Sequence, residues 1–251
     1  MVNLSSGDSS MVEYQLNQVE EGGSIPTSPL QYTVRGIPKE QTHAWLLKKH
    51  YAHSIPGLSY TFGLWDDSNI LQGVCCYGSP ANNHNNTMGE FTQIELVRLV
   101  INDDVVKNTL SRFVSQTFRL LPKPLSLISY ADSGKNHHGY IYQATNWIYT
   151  GLSNNVDSYI DDNNNEIHSR IMSDYRLRYP EKTRAEIAEM LHWGIVKGTF
   201  KHRYFKFIGD KREYKRWLNY LLEKYKILPY PKGDNKRYDA SYTPQVQGVL
   251  I

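Results

Sequence analysis

The run Phe91-Thr92-Gln93-Ile94-Glu95-Leu96-Val97-Arg98-Leu99-Val100-Ile101 and the stretch that follows it to Gly151 decide the fold. Phe91 to Ile101 is apolar enough for a buried strand. Asn108-Thr109 then caps a helix to about Leu121, apolar at Phe113, Val114, Phe118 and Leu121. Leu125 to Tyr130 is a second strand, Gly139 to Asn146 a short helix, and Trp147 to Gly151 begins a third strand. Two charges sit in this unit. Arg98 lies within the first strand, and Asp132 closes the run Leu125-Ser126-Leu127-Ile128-Ser129-Tyr130-Ala131-Asp132. Buried strands rarely carry a charge without a partner or a purpose. Tyr140 and Tyr142 follow at once, so chemistry is expected here and not only packing.

Working outward, Tyr32 to Ile37 predicts a strand. Pro38 opens a helix that ends near His50-Tyr51-Ala52-His53. Ser59 to Trp65 and Asn69 to Tyr77 form a hairpin around Asp66-Asp67-Ser68. Beyond Gly151, Ser158 to His168 reads as an acidic hairpin and Glu181 to Leu191 as an amphipathic helix. Arg203 to Ile208 reads as a strand and Lys211 to Tyr225 as a basic, aromatic helix. This order predicts an α/β fold, a mixed and mostly antiparallel sheet flanked by helices. Residues 1–29, rich in Ser, Gly, Asn and Glu, read as a flexible arm. Residues 30–196 read as the catalytic domain, and 197–251 as a basic region packed on it.

The 251 residues carry a net charge of +3, unevenly spread. Lys197 to Arg237 holds thirteen basic residues against four acids, a net +9, which leaves the remainder at −6. A region of this sign suggests a polyanionic partner. Lys201, Arg203, Tyr204, Lys211, Arg212, Lys215 and Arg216 interleave charge with aromatic rings, as phosphate contact with base stacking requires. The only cysteines, Cys75 and Cys76, are adjacent in an apolar run and read as buried, reduced thiols. That suits a cytoplasm. No run approaches the length of a membrane span, and the polar N-terminus lacks the apolar core of a signal peptide.

Each candidate has a plainer reading. Arg98 either orients an anionic or carbonyl group or pairs with Glu90, Glu95 or Asp132. Asp132 either engages a substrate amine or caps the loop at Ser133-Gly134. Tyr142 either donates a proton or packs with its hydroxyl satisfied. Ser111 either adds a hydroxyl to a donor site or caps its helix. His50, Tyr51 and His53, with His137-His138, offer iron ligands or only local hydrogen bonds.

Tyr142-Gln143-Ala144-Thr145-Asn146-Trp147 resembles the tyrosine signature of the GNAT acyltransferases, with Asn and Trp in its last two places. Four blocks in order are similar to the Mom family of bacteriophage DNA-modification proteins. They are His50-Tyr51-Ala52-His53-Ser54-Ile55-Pro56, then Glu95-Leu96-Val97-Arg98-Leu99. Next comes Tyr130-Ala131-Asp132 through Tyr140-Ile141-Tyr142 to Trp147, and last Lys201-His202-Arg203-Tyr204 with Tyr230-Pro231-Lys232. The resemblance covers roughly Tyr32 to Lys232. It implies a GNAT-like fold and carbamoylmethylation of the exocyclic amine of adenine in double-stranded DNA, which blocks host restriction enzymes. It further implies a site of Tyr51, Arg98, Ser111, Asp132 and Tyr142, with Arg98, Thr109 and Ser111 toward a small-molecule donor such as acetyl-CoA or a relative. A paired adenine has to leave the helix to be modified, and Trp147, Tyr149 or Trp193 would stack on it. The loop Asn102 to Asn108 has no glycine, and Asp103 and Asp104 would repel a pyrophosphate. Two other readings stay open: an N-acetyltransferase acting on a protein or small-molecule amine, and a DNA-binding protein without catalysis.

Overall fold

Phe91–Ile101 forms a strand over the span its apolar run predicts. The structure, a computed structural model, describes residues 26–80, 85–153, 157–167 and 169–233. Most of the predicted arm, His84 and the chain after Gly233 lie outside the described residues. In chain order the elements are β1 Thr33–Gly36, α1 Glu40–Ala44 continued by a π-turn Trp45–Lys49, β2 Tyr60–Trp65 and β3 Leu71–Gly78. Then come β4 Thr87–Met88, β5 Phe91–Ile101, α2 Thr109–Leu120, β6 Leu125–Asp132 and α3 Tyr140–Ala144. The rest are β7 Ile148–Leu152, β8 Ser158–Ile160, β9 Glu166–Ile167, α4 Ser169–Arg178, α5 Arg184–Met190, β10 Gly194–Val196, β11 Lys201–Ile208 and α6 Lys211–Lys224. No helix among the described residues is long and apolar enough to cross a membrane.

The chain divides into two compact units, and β5 runs from one into the other. The first unit takes the chain up to Asn86 with Ile94–Lys123. Its strands lie in the order β1-β2-β3-β5, each pair antiparallel. Ile37, Trp45, Leu46, Trp65, Leu71, Val74, Cys76 and Val100 form its core. Burying each large side chain of this kind contributes about 1.5–3 kcal/mol. Cys75 and Cys76 are free and buried, as expected, and burial raises both thiols, Cys76 to about 12. The Tyr77 hydroxyl reaches Thr117 Oγ1 of α2 at 2.6 Å and ties that helix to β3.

The second unit takes Thr87–Gln93 and the chain from Pro124. Here β11 lies between β6 and β7, antiparallel to both. The helix α6 follows at once, capped by Asp210. That carboxylate accepts from Arg212 N and Glu213 N, while Glu213 Oε2 accepts from Asp210 N. Such a reciprocal cap stabilises a helix by about 1 kcal/mol. Trp217 and Leu221 of α6 pack on Ile128, Phe205, Phe207, Phe91 and Met88. The indole of Trp217 donates to Ser126 Oγ, which donates to Gln93, so the polar atoms in this core are satisfied in series.

Between β7 and β11 the chain builds a satellite: a three-stranded sheet β10-β8-β9 with α4 and α5 around Tyr159, Met172, Ile187 and Ala188. The hairpin and α5 are as read from the sequence, including the capping box of Thr183 with Glu186. The helix α4 is an addition. Its residues, Ser-Arg-Ile-Met-Ser-Asp-Tyr-Arg-Leu-Arg, carry only a weak apolar face. The start of α2 also differs from expectation. Asn108 adopts the left-handed conformation, φ 70°, and its side chain makes no cap bond.

Candidate functional site

Tyr142 stands in α3 with its hydroxyl accepting from Ser129 Oγ of β6 at 2.7 Å. The ring is buried, 5.2 Å from Trp147 and 5.1 Å from Tyr204, centroid to centroid. Asp132 ends β6, three residues beyond Ser129, so one strand positions both predicted groups. The Asp132 carboxylate accepts from Gly134 N at 2.9 Å and from the Thr199 hydroxyl. It therefore does cap its loop, while remaining partly exposed. At the other end of α3, Lys206 Nζ donates to Thr145 O and Asn146 O, both at 3.1 Å. An ammonium on the last carbonyls of a helix is favourably placed. Burial lowers the pKa of Lys206. Asn146, in the glycine place of the tyrosine signature, has φ 57°, a conformation that asparagine tolerates better than most side chains.

Around Tyr142 lies a polar aromatic cluster that local reading missed. The Tyr149 hydroxyl and His202 Nδ1 are hydrogen-bonded at 2.9 Å, and the His138 and His202 rings are 5.4 Å apart. Gln143 Nε2 donates to His138 O and Pro231 O, and the Tyr140 hydroxyl donates to Gly233 O. The signal for Ser129 was present, a hydroxyl interrupting an apolar strand. The partners of Tyr149 and Lys206 are 53 and 61 residues away and left no local trace.

In the first unit Arg98 forms no ion pair among the described residues; Glu90 pairs with Arg216 instead, at 2.6 Å. The guanidinium donates from Nη1 to Val97 O at 2.8 Å and from Nη2 to Ser54 Oγ at 3.0 Å. Its Nε is buried without a hydrogen-bond partner. Ser54 belongs to the block His50 to Pro56, so that block serves Arg98. Tyr51 is exposed and stacks on His50 at 4.4 Å. In α2, Thr109 is fully buried with its hydroxyl unpartnered, and Ser111 Oγ donates to Asn108 O at 3.0 Å.

The histidines near Tyr51 are used locally. His50 Nδ1 accepts from Ala52 N, and His53 Nδ1 bonds Leu47 O. Among the described residues no three His, Cys, Asp or Glu side chains are placed to hold a metal, so the iron reading finds no ligand set.

The predicted DNA-binding residues divide. Lys201, Lys211, Arg212 and Lys215 are exposed. Arg216 is exposed but paired with Glu90. Tyr204 is wholly buried, its hydroxyl donating to His138 O, and so does not face a duplex. Arg203 donates to Thr150 Oγ1 and Thr150 O and lies 4.1 Å over the Tyr225 ring. Both sit on a strand paired along each edge, where sequence proximity to a basic helix says nothing of exposure.

A protein-family profile, the Mom protein family, matches residues 31–232. The chain belongs to the Mom family. Comparison with curated proteins gives no match for this Mom-family chain. Among solved structures it is similar to a spermidine N-acetyltransferase SpeG chimera from Vibrio cholerae and hSSAT. There the identity is 9% over 75% of this chain and 99% of that one, with a TM-score of 0.40. A spermidine N-acetyltransferase from Vibrio cholerae in complex with CoA and spermine gives 9% identity, 76% and 99% coverage, and a TM-score of 0.38. An N-acetyltransferase from Staphylococcus aureus Mu50 gives 10%, 70% and 98%, and 0.39.

Two histidines at and beside the aromatic cluster are expected to make the fold of the Mom-family chain acid-sensitive. Burial lowers the pKa of His202 below its ordinary 6.5, and the neighbouring His138 lowers it further. His137 is lowered too, chiefly by burial. The unfolded chain then binds protons at a higher pH than the folded one. The stability these rings contribute is complete above pH of about 6.5 and is lost as pH falls through the lowered folded values. The urea midpoint is expected to drop between pH 7.5 and 5. A His202→Asn variant should flatten that slope, and an unchanged slope would refute the assignment.

Proposed function

We propose that this chain is a transferase that adds a carbamoylmethyl group to the exocyclic amine of adenine in double-stranded DNA, protecting phage DNA from host restriction. One observation carries the reading: the Mom-family match spans residues 31–232, which include Arg98, Asp132, Tyr142 and the whole of α6. The place of action that follows is the cytoplasm of the bacterial host.

The chemistry is demanding, because the adenine amine is a poor nucleophile with its lone pair delocalised into the ring. A carboxylate accepts the proton that the nitrogen loses as it bonds to the methylene carbon of the donor, while the bond from that carbon to the donor's leaving group breaks and the leaving group departs with the electron pair. Asp132 is assigned that part. Tyr142, its hydroxyl oriented by Ser129, and Tyr51 assist proton transfer. Arg98 has an unsatisfied Nε and no carboxylate partner, and it is assigned to the donor with Thr109 and Ser111. Coenzyme A fits these residues poorly. The turn into α2 is made by Asn108 without a glycine, and exposed Asp103 and Asp104 precede it. A carboxylate or carbonyl group on the donor suits the start of α2 better.

DNA contact is assigned to Lys201 and to Lys211, Arg212 and Lys215 on α6. A triple alanine variant of the α6 residues is expected to weaken duplex binding regardless of sequence. The log–log salt slope should fall by about 3, one phosphate for each side chain. Binding with the wild-type slope would remove α6 from the interface.

The direct test is mass spectrometry of nucleosides from plasmid DNA made in bacteria expressing the chain. Deoxyadenosine heavier by one carbamoylmethyl group, absent with Arg98→Ala, establishes the activity. Unmodified DNA from soluble, well-expressed protein rejects it.

A further inference from the structure

Leu177 is 82% exposed, more than any other large apolar side chain among the described residues. It sits at the end of α4, in Tyr175-Arg176-Leu177-Arg178-Tyr179-Pro180, and Lys182, Thr183 and Arg184 follow. From Tyr175 to Arg184 there are four basic side chains and one acid, a net charge of +3. Single exposed leucines are ordinary. One held outward on a rigid, basic tip is not.

The tip is rigid for identifiable reasons. Pro180 ends the helix. Tyr179 N donates to Tyr175 O and Lys182 N to Tyr179 O, and the Tyr175 and Tyr179 rings stack within 7° of parallel. Arg176 Nη1 donates to Lys182 O and Pro180 O, so this arginine braces the turn. The capping box at Thr183 fixes the next helix. Met172 on α4 and Ile187 on α5 anchor both in the satellite core. Arg178 and Arg184 stay exposed on either side of the turn.

We infer that Leu177 is a wedge that enters a DNA base step, with Arg178, Lys182 and Arg184 on the flanking phosphates. The inference rests on the DNA reading above and deepens it. An adenine cannot be modified while stacked and paired. Proteins that open a step insert an apolar side chain into it, and basic residues beside that side chain hold the backbone. The charge of the tip selects a polyanion over an apolar protein surface. The bracing lets the leucine resist the stack rather than fold back. Leu177 touches no reacting atom in this scheme; it is a positioning residue that holds the gap left by the extruded base.

The experiment uses the full chain and supercoiled plasmid DNA, with permanganate to mark thymines that have lost their partner. Wild type is expected to raise thymine reactivity. Leu177→Ala should reduce that rise and the modification rate by about ten-fold, with duplex affinity changed less than about three-fold. Leu177→Met, which restores apolar length, should recover most of both. Equal reactivity and modification in wild type and Leu177→Ala would overturn the wedge while leaving the enzyme reading intact. So would a Leu177→Ala variant that sediments as a smaller species than wild type, since the leucine would then cover a protein interface. Wild-type protein that neither binds nor modifies DNA would overturn both.

Discussion

Arg98→Ala is expected to lower adenine modification by about a hundred-fold or more, the loss seen when a preorganised donor to a developing charge is removed. The reason is how the guanidinium is held. Val97 O and Ser54 Oγ fix two of its nitrogens, and neither neutralises its charge. No carboxylate among the described residues pairs with it, and its Nε is buried without a partner. A structural arginine in a strand would pair with an acid; this one keeps both charge and a free donor direction. Little stability should be lost, about 1 kcal/mol for the Ser54 bond, because no ion pair is broken. Arg98→Lys should not restore activity, since an ammonium cannot present the planar fork that holds Ser54 and leaves a donor direction for the proposed donor contact. Asp132→Asn should be equally inactive. Its amide oxygen can still accept from Gly134 N, so the loop survives while the proposed base is lost. Nucleoside mass spectrometry beside a duplex-binding assay decides the matter. Loss of modification and of binding in equal measure would refute the role of Arg98, because phosphate contact does not need it.

The strands were legible where a single apolar run sufficed. Phe91–Ile101 and the hairpin of β2 and β3 depend on period and turn chemistry, both local. The exposure of side chains on β11 was not legible. Arg203 and Tyr204 lie beside the basic helix in sequence, and that neighbourhood suggested a DNA-facing stripe. The pairing of β11 with both β6 and β7 turns Tyr204 into the core and Lys206 onto the end of α3. Those partners come from elements formed much earlier in the chain, so no window of sequence contains them. Of the candidate site, residue types in unusual places singled out Arg98, Asp132 and Tyr142. Of their partners, Ser129 was marked as a hydroxyl interrupting an apolar strand, whereas Ser54 and Thr199 are ordinary polar residues that only their distances mark.

Gly139→Ala should disrupt the core of the second unit at Tyr142 itself. Gly139 has φ 75°, where a side chain is strained. A Cβ there would stand 2.5 Å from the Tyr204 ring and 2.9 Å from the Tyr142 ring. Both rings are buried and cannot withdraw into solvent. Backbone strain and the clash together should cost about 3 kcal/mol, in the class of overpacked cores. For a chain of this size that is a fall in Tm of about 6–12 °C. Activity should fall further than stability accounts for, because Tyr142 must shift away from Ser129 to admit the methyl. Tyr142→Phe separates the two effects. It keeps the ring and the packing, leaves Ser129 short of one partner at a cost of about 1 kcal/mol, and removes only the hydroxyl. If the hydroxyl acts in proton transfer, Tyr142→Phe lowers modification by about a hundred-fold with Tm nearly unchanged. Full activity in Tyr142→Phe, beside a heat-labile and inactive Gly139→Ala, would mean that Tyr142 serves the site only by packing against Tyr204 and Trp147.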